Sequence, residues 1–230
     1  MKPSDQSLPQ NSPVVIVPSP WNSLLITRQE ATNAMSHHEH LLALFESIEK
    51  ERCLPGRKKD KPRVLIQGGS PSEKGMLTKY GNLIIKNIKE SGEPHPICEM
   101  KKPVADRCSF IVAYPHGPNR RPCLHRDDNV SGYYSVFFLL THLTDMNGSV
   151  DVYENSEECP RNPKVGINEV LQNLEPSLRV PVRMIGNVGD IFTFDGRLLH
   201  QSDVNSTHEK RVVFTFSVYD STKYKKYPRN

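Results

Sequence analysis

The segment Leu124-His125-Arg126-Asp127 sets an imidazole and a carboxylate two positions apart. On or beside a β-strand, residues i and i+2 share a face, so His125 and Asp127 can converge on one ion. A second imidazole, His200, stands 75 positions later, just past the run Gly189-Asp190-Ile191-Phe192-Thr193-Phe194. Arg211 comes eleven residues beyond His200 and opens the run RVVFTFSVY. Two histidines and one carboxylate form a facial triad that leaves three positions of an octahedral iron(II) open. A cation nearby on a β scaffold can pair in bidentate fashion with the far carboxylate of an oxo-acid that chelates the metal through two atoms. Each residue alone has a plain reading. His125 with Arg126, Asp127 and Asp128 could be a surface charge cluster, and His200 a hydrogen-bonded histidine at a strand end. Their joint order and their β surroundings favour the metal.

The elements that must position these residues are legible as a change of texture along the chain. Residues 1–20 hold five prolines and read as an extended or flexible arm. From about Arg28 to Arg52 the apolar positions Leu41, Leu42, Leu44, Phe45 and Ile48 recur at helical spacing, and Pro55-Gly56 closes the segment. His37, His38 and His40 fall in this helix beside Glu39; neighbouring helical positions point apart, so they are expected as solvated surface rather than as one ion site. A charged loop, 56–63, precedes a short strand at Val64–Gln67. A second helix is expected over Ser72–Ser91, with Met76, Tyr80, Leu83, Ile84 and Ile88 on one side and Gly92 as its stop. Beyond Cys98 come short β-branched or aromatic runs: 109–114, 133–141, 150–153, 182–185, 190–194 and 211–219. Six such runs in about 120 residues predict an antiparallel sandwich or jelly roll. The polar stretch 154–181, with a short helical pattern at 167–174, reads as an insertion between strands. The expected organisation is thus an arm (1–20) and one mainly β domain (21–230) with N-terminal helices. Helical support spans 21–97, the β core 98–220, and a basic tail 221–230.

Composition limits the function classes. The chain has 230 residues, 36% hydrophobic and 24% charged, with a mean hydropathy of −0.55, which suits one domain of moderate size. No apolar run approaches the ~18–20 residues of a membrane-spanning helix. The first twenty residues carry no continuous apolar stretch of the secretory kind, so a soluble protein of cytoplasm or nucleus is expected. Five cysteines (Cys53, Cys98, Cys108, Cys123, Cys159) form no CxxC pair and read as reduced thiols, which argues against a zinc finger or a thioredoxin-like motif. The net charge of +4 is too small to mark an obligate nucleic-acid binder.

Over residues 108–220 the sequence resembles the iron(II)- and 2-oxoglutarate-dependent dioxygenases, nearest in flavour to the prolyl 4-hydroxylase-like branch. The elements that carry the resemblance are, in order, Tyr114, LHRDD, YYSVFFLL, NGSVDVYEN, GDIFTFDGRLLHQSDV and KRVVFTFSVY. The resemblance implies a double-stranded β-helix (jelly-roll) core. It matches His125, Asp127 and His200 to the iron ligands and to the catalytic centre. Arg211 matches the residue that holds the 5-carboxylate of 2-oxoglutarate, and Tyr114 is expected at the cosubstrate too. Fe(2+), 2-oxoglutarate and O2 are the implied cofactor and cosubstrates, with ascorbate as an accessory expectation. Two positions differ from that branch: Arg211 stands eleven rather than ten residues past His200, and Ser135-Val136-Phe137 replaces its usual basic residue and threonine. Because Asp127 is an acid rather than Gly or Ala, no site for halide is built in, and hydroxylation is expected over halogenation. The second arginine of the alkylated-base demethylases is replaced by Ser217, which disfavours base repair.

The resemblance makes a peptidyl side chain, proline above all, the first expectation for substrate, with a nucleobase or a small molecule as alternatives. The basic segments 57–63, 120–121 and 223–229, the last with interleaved tyrosines, motivate the nucleic-acid alternative; the modest net charge weighs against it. A catalytically silent β-helix binding module is the reading from another class, and a clamp for a cosubstrate argues against it. His142 and His208 are expected as structural or solvated, His116 near the site mouth, and Asp203 as a group supporting a ligand.

Overall fold

A computed structural model of the chain describes residues 27–29, 35–52, 63–92, 95–115, 124–128, 130–154, 156–157 and 181–224. In chain order they form β1 (Thr27–Gln29), α1 (Met35–Arg52), β2 (Arg63–Gln67), α2 (Pro71–Glu90), a 3-10 turn (Pro96–Glu99), β3 (Pro103–Ala113), β4 (Tyr133–Leu139), β5 (Val150–Tyr153), β6 (Val182–Met184), β7 (Ile191–Asp195), β8 (Leu199–Ser202) and β9 (Arg211–Asp220). None of the described helices is long and apolar enough to cross a membrane.

The strands make a six-stranded sheet in the order β1-β7-β4-β9-β3-β2 and a three-stranded sheet in the order β6-β5-β8, with every pairing antiparallel. From β4 onward the chain crosses to the small sheet for β5 and β6, returns for β7, crosses for β8 and returns for β9. Alternation along each strand then sorts side chains between two cores. On β9, Phe214, Phe216 and Val218 pack with Phe110 of β3 and with Leu41, Phe45, Leu77, Ile84 and Ile88 of the helices. Val213, Ile111, Phe137 and Phe192 face the opposite way and meet Val150, Val152, Met184 and Leu198 between the sheets.

Local chemistry explains α2. Ser70 accepts from the Glu73 backbone N–H, the Glu73 carboxylate accepts from Ser70 in return, and Pro71 occupies the first turn. Gly92, with φ of 73°, lies just beyond the end of the helix. Gly81 in mid-helix has another reason: a Cβ there would lie 2.6 Å from that of Ala105, so its absence lets α2 lie close on β3.

Several expectations need correction. The helix expected from Arg28 begins at Met35, and Thr27–Gln29 is instead an edge strand on β7. Its three residues carry too little pattern to announce a strand, which exists only through that non-local pairing. The region 21–97 therefore contributes two strands as well as helices. β3 starts at Pro103, earlier than expected, because the polar run Asp106-Arg107-Cys108-Ser109 contains an irregularity at which the register with β9 shifts. His200 does follow the strand Ile191–Asp195, β7, but lies itself within a further strand, β8, that was not expected. His37 and His38 are half-buried rather than solvated: a His38 ring nitrogen lies 2.8 Å from the Leu140 carbonyl oxygen, and burial holds the His37 pKa below its ordinary value. Cys98 and Cys108 are free thiols, with burial pushing Cys108 up to about 12. Residues 1–20, 158–180 of the insertion, His116, the other three cysteines and most of the basic segments lie outside the described residues.

Candidate metal centre

His125 lies outside the regular ladders, yet its backbone is paired. His125 N–H donates to His200 O at 3.0 Å, and His200 N–H donates to His125 O at 2.9 Å. In such a hydrogen-bonded antiparallel pair the opposed side chains share a face. The two imidazoles accordingly lie side by side, with ring centroids 4.3 Å apart. Asp127, two residues on, falls on the same face: one carboxylate oxygen is 3.7 Å from His125 Nε2, the other 3.6 Å from His200 Nε2. All three ligand atoms lie within 4.8 Å of one another, and this is the metal-type cluster among the described residues. Two ligands at ~2.1 Å from a divalent ion are separated by about 3 Å at right angles, so the donor set suits such an ion with small adjustments.

The approach is fixed from several sides. The backbone N–H groups of Asp127 and Asp128 both donate to Gly196 O, at 3.0 and 2.9 Å, in the turn between β7 and β8. Gly196 N–H in turn donates to Tyr133 O of β4 at 2.9 Å, and a Cβ on Gly196 would sit 3.3 Å from Asp128 Cβ. His200 is 2% exposed; its Nδ1 lies 3.1 Å from Leu198 O. With the Nδ1 hydrogen donated to that carbonyl, Nε2 is the nitrogen that would be available to an ion. The Phe194 ring meets the imidazole at 4.9 Å between centroids. Ser135 Oγ, on β4, donates to an Asp127 carboxylate oxygen at 2.6 Å. Asp127 and His125 keep side-chain exposures of 30% and 38%, so the cluster is open on their side.

Arg211 opens β9 opposite Ala113 of β3 and is 1% exposed. It alternates with Val212 and shares the inner face with Val213, and its guanidinium donates to Gly148 O at the approach to β5. Burying a guanidinium is costly unless anionic or polar groups meet it, and such a setting favours recognition of a carboxylate.

Of the residues singled out from sequence, the structure brings His125, Asp127 and His200 together at β8 of the small sheet and puts Arg211 on the inner face of the six-stranded sheet. Tyr114 is placed differently. It packs with the helical core, and its hydroxyl donates to Glu49 of α1 at 2.9 Å, because strand alternation gives the inner position to Ala113. The Asp203 carboxylate accepts from the Val204 N–H at 2.9 Å, the His142 carbonyl accepts from Asn147 at 2.7 Å, and His208 is exposed. Sequence reasoning passed over Ser135, Gly196 and the Leu198 carbonyl. The Asp195-Gly196 turn dipeptide before Leu199-His200 was the one local signal for any of them.

No family model matches the chain, and no curated protein matches it in sequence. Solved structures do. The non-heme alpha-ketoglutarate-dependent carbocyclase SnoK of nogalamycin biosynthesis is 12% identical, with a TM-score of 0.58, over 85% of this chain and 80% of that one. HygX from Streptomyces hygroscopicus, with nickel and 2-oxoglutarate bound, is 10% identical with a TM-score of 0.58, over 86% and 84% of the two chains. The epimerase SnoN, in complex with Fe3+, alpha-ketoglutarate and nogalamycin RO, is 12% identical with a TM-score of 0.56, over 86% and 79%. At these identities the likeness speaks of architecture: the chain has a fold that it shares with non-heme 2-oxoglutarate-dependent enzymes.

Proposed function

We propose that this protein is an iron(II)- and 2-oxoglutarate-dependent oxygenase acting on a C–H bond of a small organic molecule. The observation that carries this reading is the convergence of His125, Asp127 and His200 within 4.8 Å beside the three-stranded sheet, while the six-stranded sheet that packs on it bears the buried Arg211 on its inner face. His125, Asp127 and His200 would hold the metal, and Arg211 would receive the far carboxylate of the cosubstrate. Together the group and its cosubstrate supply an oxidant for an unactivated C–H bond, and the overall balance is RH + 2-oxoglutarate + O2 → ROH + succinate + CO2. The chain's own part is to fix ligands and exclude water. Leu198 O and Ser135 Oγ orient two of the three ligands, and the Phe194 ring shields His200. Entry is expected on the side of His125 and Asp127, which keep the larger exposures.

The alternation of strands between two sheets supports a double-stranded β-helix core, with the antiparallel His125–His200 bridge lying alongside β8 of the small sheet. A prolyl 4-hydroxylase-like branch and a peptidyl proline substrate rest on motif order alone. Small molecules are favoured because the structural neighbours are named for natural-product chemistry, carbocyclisation and epimerisation included. Hydroxylation is the outcome we assign, from the acid at position 127.

The test is succinate formation by anaerobically purified protein given iron(II), 2-oxoglutarate and oxygen, without added substrate. Succinate that disappears in His200→Ala is expected. Absence of succinate, with no iron-dependent absorbance on adding 2-oxoglutarate, would replace the enzyme reading with that of a silent binding module.

A further inference from the structure

Arg107 is a non-glycine residue in the left-handed region, with φ of 53°, at the irregularity of β3. Asn and Asp tolerate that region; an arginine there is uncommon and needs surroundings that hold it. Its side chain reaches the segment that carries the cluster. One guanidinium nitrogen donates to Asp127 O at 3.1 Å and lies 3.3 Å from an Asp128 carboxylate oxygen. The other Asp128 oxygen accepts from the Val130 N–H at 3.0 Å. Asp128 is only 10% exposed on its side chain, although Arg107 is half-exposed.

We propose that Arg107 is a positioning residue for the metal ligand Asp127. The proposal rests on the metal-centre reading above. His125 is held by the two-way backbone pair with His200; Asp127, two residues further, has left that pair. Its N–H is held by Gly196 and its carboxylate by Ser135. The Arg107 contact holds the carbonyl, so the peptide unit after the ligand, whose Asp128 N–H already donates to Gly196 O, is gripped from both edges, by the β7–β8 turn and by β3. A cation so close to a metal ligand would by itself oppose metal binding. The Asp128 carboxylate, 3.3 Å from the guanidinium, offsets that charge, which leaves the ordering effect as the contribution assigned to Arg107. The irregularity in β3 has a use on this account: the left-handed residue redirects a side chain of a paired strand toward the ligand segment.

Metal-free wild type, Arg107→Asn and Arg107→Lys are titrated with Co2+, following affinity and the visible absorption of the bound ion, and their unfolding is compared without metal. Asn accepts the backbone angle but is too short to reach Asp127. Arg107→Asn is expected to bind Co2+ about tenfold to hundredfold more weakly, with a changed spectrum and an unchanged metal-free unfolding midpoint. Arg107→Lys, which keeps the charge but not the planar guanidinium, recovers part of the affinity. Wild-type affinity and spectrum in Arg107→Asn would overturn the proposal. So would a fall in the metal-free midpoint that parallels the loss of affinity, since that marks a purely structural role. A wild type that takes up no Co2+ would remove the metal-centre reading itself, and the proposal with it.

Discussion

Replacing Ser135 by alanine isolates one interaction beneath the metal-type cluster. Its Oγ donates to an Asp127 carboxylate oxygen at 2.6 Å, a short bond with a charged acceptor. Hydrogen bonds of this kind contribute about 1.5–3 kcal/mol. Asp127 keeps a side-chain exposure of 30%, so water can replace part of the lost contact, and the lower end applies. About 1.5 kcal/mol corresponds to roughly a tenfold weaker metal affinity, because the bond fixes the carboxylate in the orientation that faces both imidazoles. Ser135 is 1% exposed and sits in the middle of the large sheet, so losing one hydroxyl leaves a void too small to unfold the domain. Calorimetric titration of the metal-free protein with Co2+ under anaerobic conditions reads the effect, with His125→Ala as the variant that loses the ion altogether. A Ser135→Ala affinity within twofold of wild type would show that Asp127 is oriented without Ser135.

Arg211→Ala is expected to raise the 2-oxoglutarate concentration needed for turnover by at least about tenfold, as befits a lost charged anchor, while Co2+ affinity stays near wild type; equal loss of both would move Arg211 from cosubstrate binding to general support of the fold. His95 caps the 3-10 turn by accepting from the Ile97 N–H at 3.1 Å, and burial lowers its pKa to about 4. A folded-state value below the unfolded ~6.5 means that this stabilisation is complete above pH 6.5 and is lost as the pH falls toward 4, on the order of 2 kcal/mol by pH 5. His95→Asn keeps an accepting cap, so its denaturant midpoint is expected to fall less steeply over that window; a slope equal to wild type would refute the assignment. Gly81→Ala gains about 1 kcal/mol of helix propensity but drives a methyl to 2.6 Å from Ala105 Cβ on a packed strand. Overpacking of about 1–3 kcal/mol decides the sign, and a lower melting temperature is expected; a higher one would mean that α2 can shift outward.

The large features of the fold were legible because they rest on local pattern. The second helix carried its own stop, Gly92, and its apolar positions recur at the helical period. The β runs of β4, β5 and β9 are dense in branched and aromatic residues, so their existence required no knowledge of partners. β1 and β8 escaped notice for the opposite reason. Thr27–Gln29 and Leu199–Ser202 are short and acquire strand character only by pairing with Ile191–Thr193 and with β5. The helix-borne histidines misled for a related reason. Their neighbours along the chain are polar, but Leu140, just past the end of β4, brings its carbonyl oxygen to His38.

The same division runs through the site. Sequence alone determined which side chains are offered: an imidazole and a carboxylate at strand spacing, a second imidazole, and a basic residue opening the last strand. Those are choices of residue type and chain order, and the i, i+2 spacing offers His125 and Asp127 to one face. Tertiary structure decided everything that depends on distance between segments. A two-way backbone pair brings His200 beside His125 from 75 positions away. The register of β4 sets Ser135 under Asp127, and alternation on β3 turns Tyr114 toward α1 and away from the inner face. The left-handed kink at Arg107 sends a guanidinium to a loop that follows it by twenty residues. Spacing along a chain specifies the direction of a side chain within its own element, whereas contact between elements is fixed only when the sheets have closed and their registers are set.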